Sequence, residues 1–229
     1  NVQLSEPDVS PLAIQGPKAD DLLVSLFGEH IREIGFFKFA WVSFKGTLQL
    51  IARSGYSRQG GFEIYLEGGH LGGDLWDMIW EAGQDYNIAP GCPNLIERIE
   101  GGLLSYGNEM TRENNPLEIG LGKYCSLDGT VDYIGREALE NIAQKGPDRK
   151  IHGVIFETPS CPICSIPWPV KHEGDLIGQI TSGIFSPRLE KNVGVALIDK
   201  GYWTAGLEVS VTLPDGEKRA GQLSNLPFT

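Results

Sequence analysis

No run of about 18 apolar residues occurs in this 229-residue chain, so no membrane-spanning helix is expected. The opening residues, Asn1-Val2-Gln3-Leu4-Ser5-Glu6-Pro7, lack the basic and apolar segments of a signal peptide. An initiator methionine is missing too, and the chain reads as beginning inside a longer gene product. Positive charge is in short supply. There are 19 Lys and Arg against 30 Asp and Glu, a formal net charge of -11. That argues against a nucleic-acid or anionic membrane surface, since both need a basic field. It mildly favours a cationic small-molecule substrate.

Cysteine is scarce as well. Cys92, Cys125, Cys161 and Cys164 are too few to form the disulfide scaffold of a small secreted domain. Cys161 and Cys164 have CxxC spacing, but no second pair or spaced histidines complete a zinc site. Pro159, Pro162, Pro167 and Pro169 surround them, where a redox motif wants a βαβ setting. They read as incidental thiols in a loop, and a reducing, cytoplasmic setting is expected. The GxGxxG, HExxH and GxSxG motifs are absent. Gly120-Leu121-Gly122-Lys123 lacks the first glycine and the hydroxyl residue of a P-loop. His30, His70, His152 and His172 show no ligand spacing, so no metal site is expected.

What is present is a pattern that changes along the chain. Leu12-Ala13-Ile14 predicts a short strand ending at Gln15-Gly16, and Pro17 opens a helix with Asp20 and Asp21 in its first turn. Leu22, Leu23, Leu26 and Phe27 give that helix one apolar face, and Gly28 can end it. Strands are predicted over Phe36 to Ser43, Leu48 to Ala52 and Phe62 to Leu66. Leu71, Leu75, Ile79, Ala82 and Tyr86 recur at helical spacing. Pro93 opens a further helix, with Leu95, Ile99, Gly102, Leu103 and Tyr106 inward and Gly107 as its stop. One more helix is expected from Tyr133 to Ile142. Lys145-Gly146-Pro147-Asp148-Arg149-Lys150 reads as a linker. Beyond it the helical signal vanishes, and short β-like runs follow: His152–Phe156, Leu176–Thr181, Val193–Ile198, Leu207–Leu213 and Arg219–Leu223. The expected fold class is α+β: a layered α/β domain over residues 1–148, then a small all-β barrel or sandwich over 149–229.

Two stretches could carry chemistry. In the strand Phe62 to Leu66, alternation puts Phe62, Ile64 and Leu66 on one face and Glu63 and Tyr65 on the other. A carboxylate and a phenol sharing a face suit a ligand surface, and they equally suit a solvated outer face. Gly55, Gly60 and Gly61 nearby would let backbone approach a ligand closely. In the second stretch Arg98 lies one helical turn from Leu95 and Gly102, beside the apolar stripe. It reads either as a snorkelling surface arginine or as a ligand contact. Gly101 and Gly102 within a helix cost about 1 kcal/mol each relative to Ala, which points to close packing or a neighbouring ligand.

Together these stretches carry a resemblance. Gln15-Gly16-Pro17, Ser54-Gly55-Tyr56, Gly61-Phe62-Glu63, Arg98-Ile99-Glu100-Gly101, Tyr106-Gly107-Asn108, Asn115-Pro116-Leu117-Glu118, Thr181-Ser182-Gly183, Ser186-Pro187 and Leu226-Pro227-Phe228 follow one another in an order that resembles the folate-binding glycine-cleavage T-protein superfamily. Ile51-Ala52-Arg53-Ser54-Gly55, Gln59-Gly60-Gly61 and the run from Pro90 to Glu100 look most like its dimethylsulfoniopropionate demethylase branch. Ser57-Arg58-Gln59 departs from the Thr-Gly-Glu-type loop usual in T-proteins.

The resemblance implies a three-domain, cloverleaf-like transferase with tetrahydrofolate in a central channel. It implies that Glu63 matches the glutamate holding the pterin, whose adjacent N–H and amino groups one carboxylate can accept. Tyr65 would line the same cofactor site. Arg98, matching a recurring arginine of the superfamily, is placed with these cofactor-binding residues. Tyr56 falls where the demethylases keep an aromatic near the methyl donor. The family's catalytic aspartate belongs to an N-terminal segment without counterpart here, so no catalytic residue is assigned and the chain alone is expected to turn over poorly. The implied activity is methyl transfer from a sulfonium such as dimethylsulfoniopropionate, the small-molecule partner, to tetrahydrofolate. The alternatives are aminomethyl transfer as in glycine cleavage, dimethylglycine-type demethylation, and a folate-binding protein without turnover.

Overall fold

The computed structural model describes residues 2–92 and 94–228. Its backbone packs as two compact units, residues 1–94 and 95–229. Among the described residues no helix is long and apolar enough to cross a membrane.

The first unit holds β1 (Val9–Gln15), α1 (Ala19–Phe27), β2 (Phe39–Phe44), β3 (Thr47–Ala52), β4 (Gly61–Glu67) and α2 (Gly72–Gly83). The four strands form one antiparallel sheet in the order β1-β4-β3-β2. The chain closes β2 to β3 through Lys45-Gly46, both at positive φ. Strand alternation decides the layers. Ile14, Val42, Phe44, Ile51, Phe62, Ile64 and Leu66 are buried on one face, in one cluster with Leu22 and Leu23 of α1 and Leu75 and Ile79 of α2. Full burial of such side chains stabilises by about 1.5–3 kcal/mol each. The helical pattern expected up to Tyr86 is α-helix only as far as Gly83, and a short 3-10 turn covers Gln84–Tyr86.

The other face of the sheet follows from register. One row across it is Pro11–Tyr65–Leu50–Trp41, and the next is Ala13–Glu63–Ala52–Phe39. Phe39, Trp41, Leu48 and Tyr65 are exposed there, so Glu63 sits on a largely apolar, aromatic surface.

The second unit runs through α3 (Leu95–Glu100), a long loop, α4 (Arg136–Lys145) and the strands β5 (Arg149–Phe156), β6 (Trp168–His172), β7 (Asp175–Ser186), β8 (Lys191–Asp199), β9 (Glu208–Thr212) and β10 (Lys218–Ser224). These strands close a barrel in the order β10-β5-β8-β7-β6-β9. Val154, Phe156, Trp168, Ile180, Val209, Val211 and Leu223 belong to the buried cluster of the barrel. The mixed α+β class with a C-terminal barrel is therefore the observed architecture. Outside the barrel, Ile99 of α3 packs with Val193, Val195 and Phe228, so the compact unit begins well before the barrel strands do. Lys145–Lys150 comprises the end of α4, a short turn with Gly146 at positive φ, and the start of β5.

Three expectations need correcting. The helix over Arg98 ends at Glu100 rather than at Gly107, because Gly102 adopts φ +64 and turns the chain out; its expected opening residue, Pro93, lies outside the described residues. The helix expected from Tyr133 begins at Arg136, after Gly135 at positive φ. β6 went unread among the prolines. Pro169 sits near its start, and pairing with β9 begins only at Val170, past the residue that has no N–H to give.

Candidate functional site

Glu63 is half-buried in the middle of β4. Its Oε2 accepts a short hydrogen bond from Ser54 Oγ and a long one, 3.5 Å, from the Tyr65 hydroxyl. Two neighbours thus aim the carboxylate from one side. Tyr65 is 38% exposed on the same face, directly opposite Leu50.

The loop between β3 and β4 supplies Ser54 and Tyr56. Arg53 anchors its entry. The guanidinium donates to both carboxylate oxygens of Asp20, at 3.1 and 2.7 Å, and to Ile34 O at 2.5 Å, while lying 4.4 Å from the centre of the Phe62 ring. The loop exit is fixed where Gly16 N donates to Gly60 O at 3.0 Å. Gly61 is required there, since a Cβ would stand 2.2 Å from Ile14 O. Tyr56 is 38% exposed on this loop. The first unit therefore brings Ser54, Tyr56, Glu63 and Tyr65 onto one sheet and its adjoining loop.

Arg98 belongs to the other unit, and it is neither snorkelling nor open. It is 5% exposed. NH1 donates to Glu109 Oε2 and to Leu103 O, each at 2.9 Å, and NH2 donates to Ser182 Oγ at 2.6 Å. Glu109 is fully buried and also accepts from Ser105 N at 2.7 Å. Two residues on, Glu100 accepts from Ser186 Oγ and, at 2.7 Å, from Arg188 Nε. The short helix thus sets two of its charged residues, Arg98 and Glu100, against β7 at Ser182 and Ser186, with Ile99 between them. Just past the helix Gly102 is closely packed, a Cβ there falling 3.1 Å from Leu226. The residues that this reading missed are Gln15, Ser54, Glu109 and Ser182. Gln15, Ser54 and Ser182 are polar residues inside motifs already noted, Glu109 directly follows one, and their side-chain partners lie 9 to 84 residues away.

The four cysteines are free. Burial pushes the Cys161 thiol up to about 11 and Cys164 up to about 12, so neither is poised as a nucleophile. No group of metal-ligating side chains occurs among the described residues. Two concavities lie on the second unit, of about 500 Å³ around Leu117, Glu118 and Lys123 and about 840 Å³ around Lys171, Glu208 and Lys218. Neither is lined by Arg98.

The family models that match the chain divide it at a different place from the two compact units. Residues 1–129 match the family model described as the GCVT N-terminal domain, and residues 149–229 match the glycine cleavage T-protein C-terminal barrel domain. The chain is 49% identical over 216 residues to the dimethylsulfoniopropionate demethylase of Ruegeria pomeroyi, covering 94% of this chain and 58% of that protein. It is 39% identical over 209 residues to an aminomethyltransferase of Caldanaerobacter subterraneus, covering 90% and 54%. The solved structure of the glycine cleavage system aminomethyltransferase T from Bartonella henselae superposes with a TM-score of 0.77 at 27% identity, over 96% of this chain and 59% of that one. The chain thus spans less than two thirds of the length of these relatives. It belongs to the glycine cleavage T-protein family.

Proposed function

We propose that this chain binds tetrahydrofolate on the open face of the β1–β4 sheet and serves methyl transfer from a sulfonium donor. The observation that carries this reading is Glu63, a half-buried carboxylate set among Leu50, Ala52, Ala13, Phe39 and Tyr65 on the open face. A flat heterocycle with adjacent N–H and amino donors fits such a surface: apolar walls take its faces and the carboxylate takes its edge. Tetrahydrofolate, when bound, supplies the nitrogen that accepts the methyl group.

The protein's share is alignment. A sulfonium leaves as a neutral thioether and needs no general acid, so proximity and orientation can supply much of the acceleration. Tyr56 offers an aromatic face to the cation. Arg98 serves the fold, holding the Leu103–Glu109 loop to the barrel, and is not a pterin contact in this reading. Identity of 49% to a demethylase of this donor favours the sulfonium. A second reading, aminomethyl transfer, is favoured by the relatives that bear that name. The two separate in one assay on the gene product that carries this chain, with tetrahydrofolate as acceptor. Methyl-folate from dimethylsulfoniopropionate supports the first. Methylene-folate from an aminomethyl-loaded carrier protein, with no methyl-folate from the sulfonium, overturns it.

A further inference from the structure

Gln15 closes β1, half-buried, and its side chain reaches across to the loop that carries Tyr56. Nε2 donates to Ser54 O and to Phe62 O, both at 3.1 Å, with Ile14 O at 3.3 Å. Oε1 accepts from Ser57 Oγ at 2.7 Å, and that hydroxyl also accepts from Gln59 N at 3.1 Å. Ser54 and Phe62 flank the loop, and Ser57 lies within it. One amide therefore ties both ends of the loop and a point inside it to the sheet.

The fit leaves no slack. A Cβ at Gly55 would stand 2.0 Å from Gln15 Oε1, so any side chain there must expel the glutamine. The chemistry asks for an amide in particular, because one group must donate and accept at the same place. Glutamate keeps the acceptor and lacks the donors; methionine lacks both.

Tyr56 lies between the two tethered serines, whereas the backbone of Glu63 is held in β4, opposite Ala13 of β1 and Ala52 of β3, with Ser54 Oγ meeting its carboxylate from the loop. The backbone of Glu63 is thus set by the sheet and that of Tyr56 by the tethered loop. We infer that Gln15 is a positioning residue that fixes the Tyr56 loop and so sets the affinity for the methyl donor without touching donor or folate. This rests on the function proposed above.

The test uses the gene product that carries this chain and its Gln15→Met variant. Dimethylsulfoniopropionate is varied at saturating tetrahydrofolate, folate affinity is measured by titration, and tryptic cleavage after Arg58 is timed. The donor KM should rise about tenfold, the scale of one lost hydrogen bond, with kcat and folate affinity within about threefold of the parent. Cleavage after Arg58 should accelerate by about tenfold or more. Gly55→Ala should reproduce these changes, and adding it to Gln15→Met should bring little more, since both remove the same tether. Gln15→Glu, retaining the Ser57 contact, serves as the milder variant if Gln15→Met folds poorly. An unchanged donor KM, even with a lowered melting temperature, overturns the inference. So does a folate affinity that falls as far as the donor KM rises. A parent protein that binds no tetrahydrofolate instead overturns the function on which it rests.

Discussion

Arg98 and Glu109 form an ion pair at 2.9 Å with side chains 6% and 0% exposed. Eleven residues apart, they close the Gly101–Asn108 loop upon itself, and Ser182 joins the guanidinium to the barrel. A buried pair is retained only when further hydrogen bonds satisfy both partners, and here Leu103 O, Ser105 N and Ser182 Oγ do so.

Arg98→Met should therefore cost about 3–5 kcal/mol, because it strands the Glu109 carboxylate in the interior. Urea unfolding measures this. Arg98→Met with Glu109→Leu should recover much of the loss, as no lone charge remains. A single-variant loss below about 1 kcal/mol, the scale of a surface pair, would contradict the buried geometry.

The thiols give a prediction in pH. Burial holds Cys161 up to about 11 and Cys164 up to about 12, against an ordinary value of 9.0. The folded chain keeps these protons where the unfolded chain has lost them. Their contribution to stability is therefore complete below pH 9 and falls as pH rises toward 12. At pH about 8, iodoacetamide should label exposed Cys92 first, with Cys161 and Cys164 far behind. Peptide mass spectrometry checks the order, and early labelling at Cys161 would contradict it.

Tyr56→Ala should raise the half-saturating concentration of dimethylsulfoniopropionate more than it slows the saturated rate. The sulfonium loses its positive charge during transfer, so attraction to the ring weakens toward the transition state. Steady-state kinetics at saturating tetrahydrofolate separates the two effects. A fall in kcat larger than the rise in KM would give Tyr56 a different role.

Much of this was legible in the sequence because period and burial coincide. Phe62-Glu63-Ile64-Tyr65-Leu66 alternates, and its apolar members are the buried ones. The loss of helical period after Lys145 coincides with the barrel strands. Arg98 was not legible. Its pattern beside an apolar stripe is the same whether the guanidinium reaches solvent or a carboxylate 11 residues on, and nothing local announces Glu109. Gln15 and Ser54 were visible only as motif letters, since their partners lie 39 and 9 residues away. β6 was hidden because proline removes the local signal for a strand, and pairing with β7 and β9 forms it nonetheless.

The central claim is that Glu63 holds the edge of the pterin. Glu63→Gln keeps the size and replaces an acceptor oxygen with a donor amide. Titration calorimetry of tetrahydrofolate into the parent and this variant tests it most directly. Affinity should fall by about 1.5–3 kcal/mol, the range for a hydrogen bond to a charged group, with both proteins melting alike. Equal affinity in the two, with the parent binding, would remove Glu63 from the site.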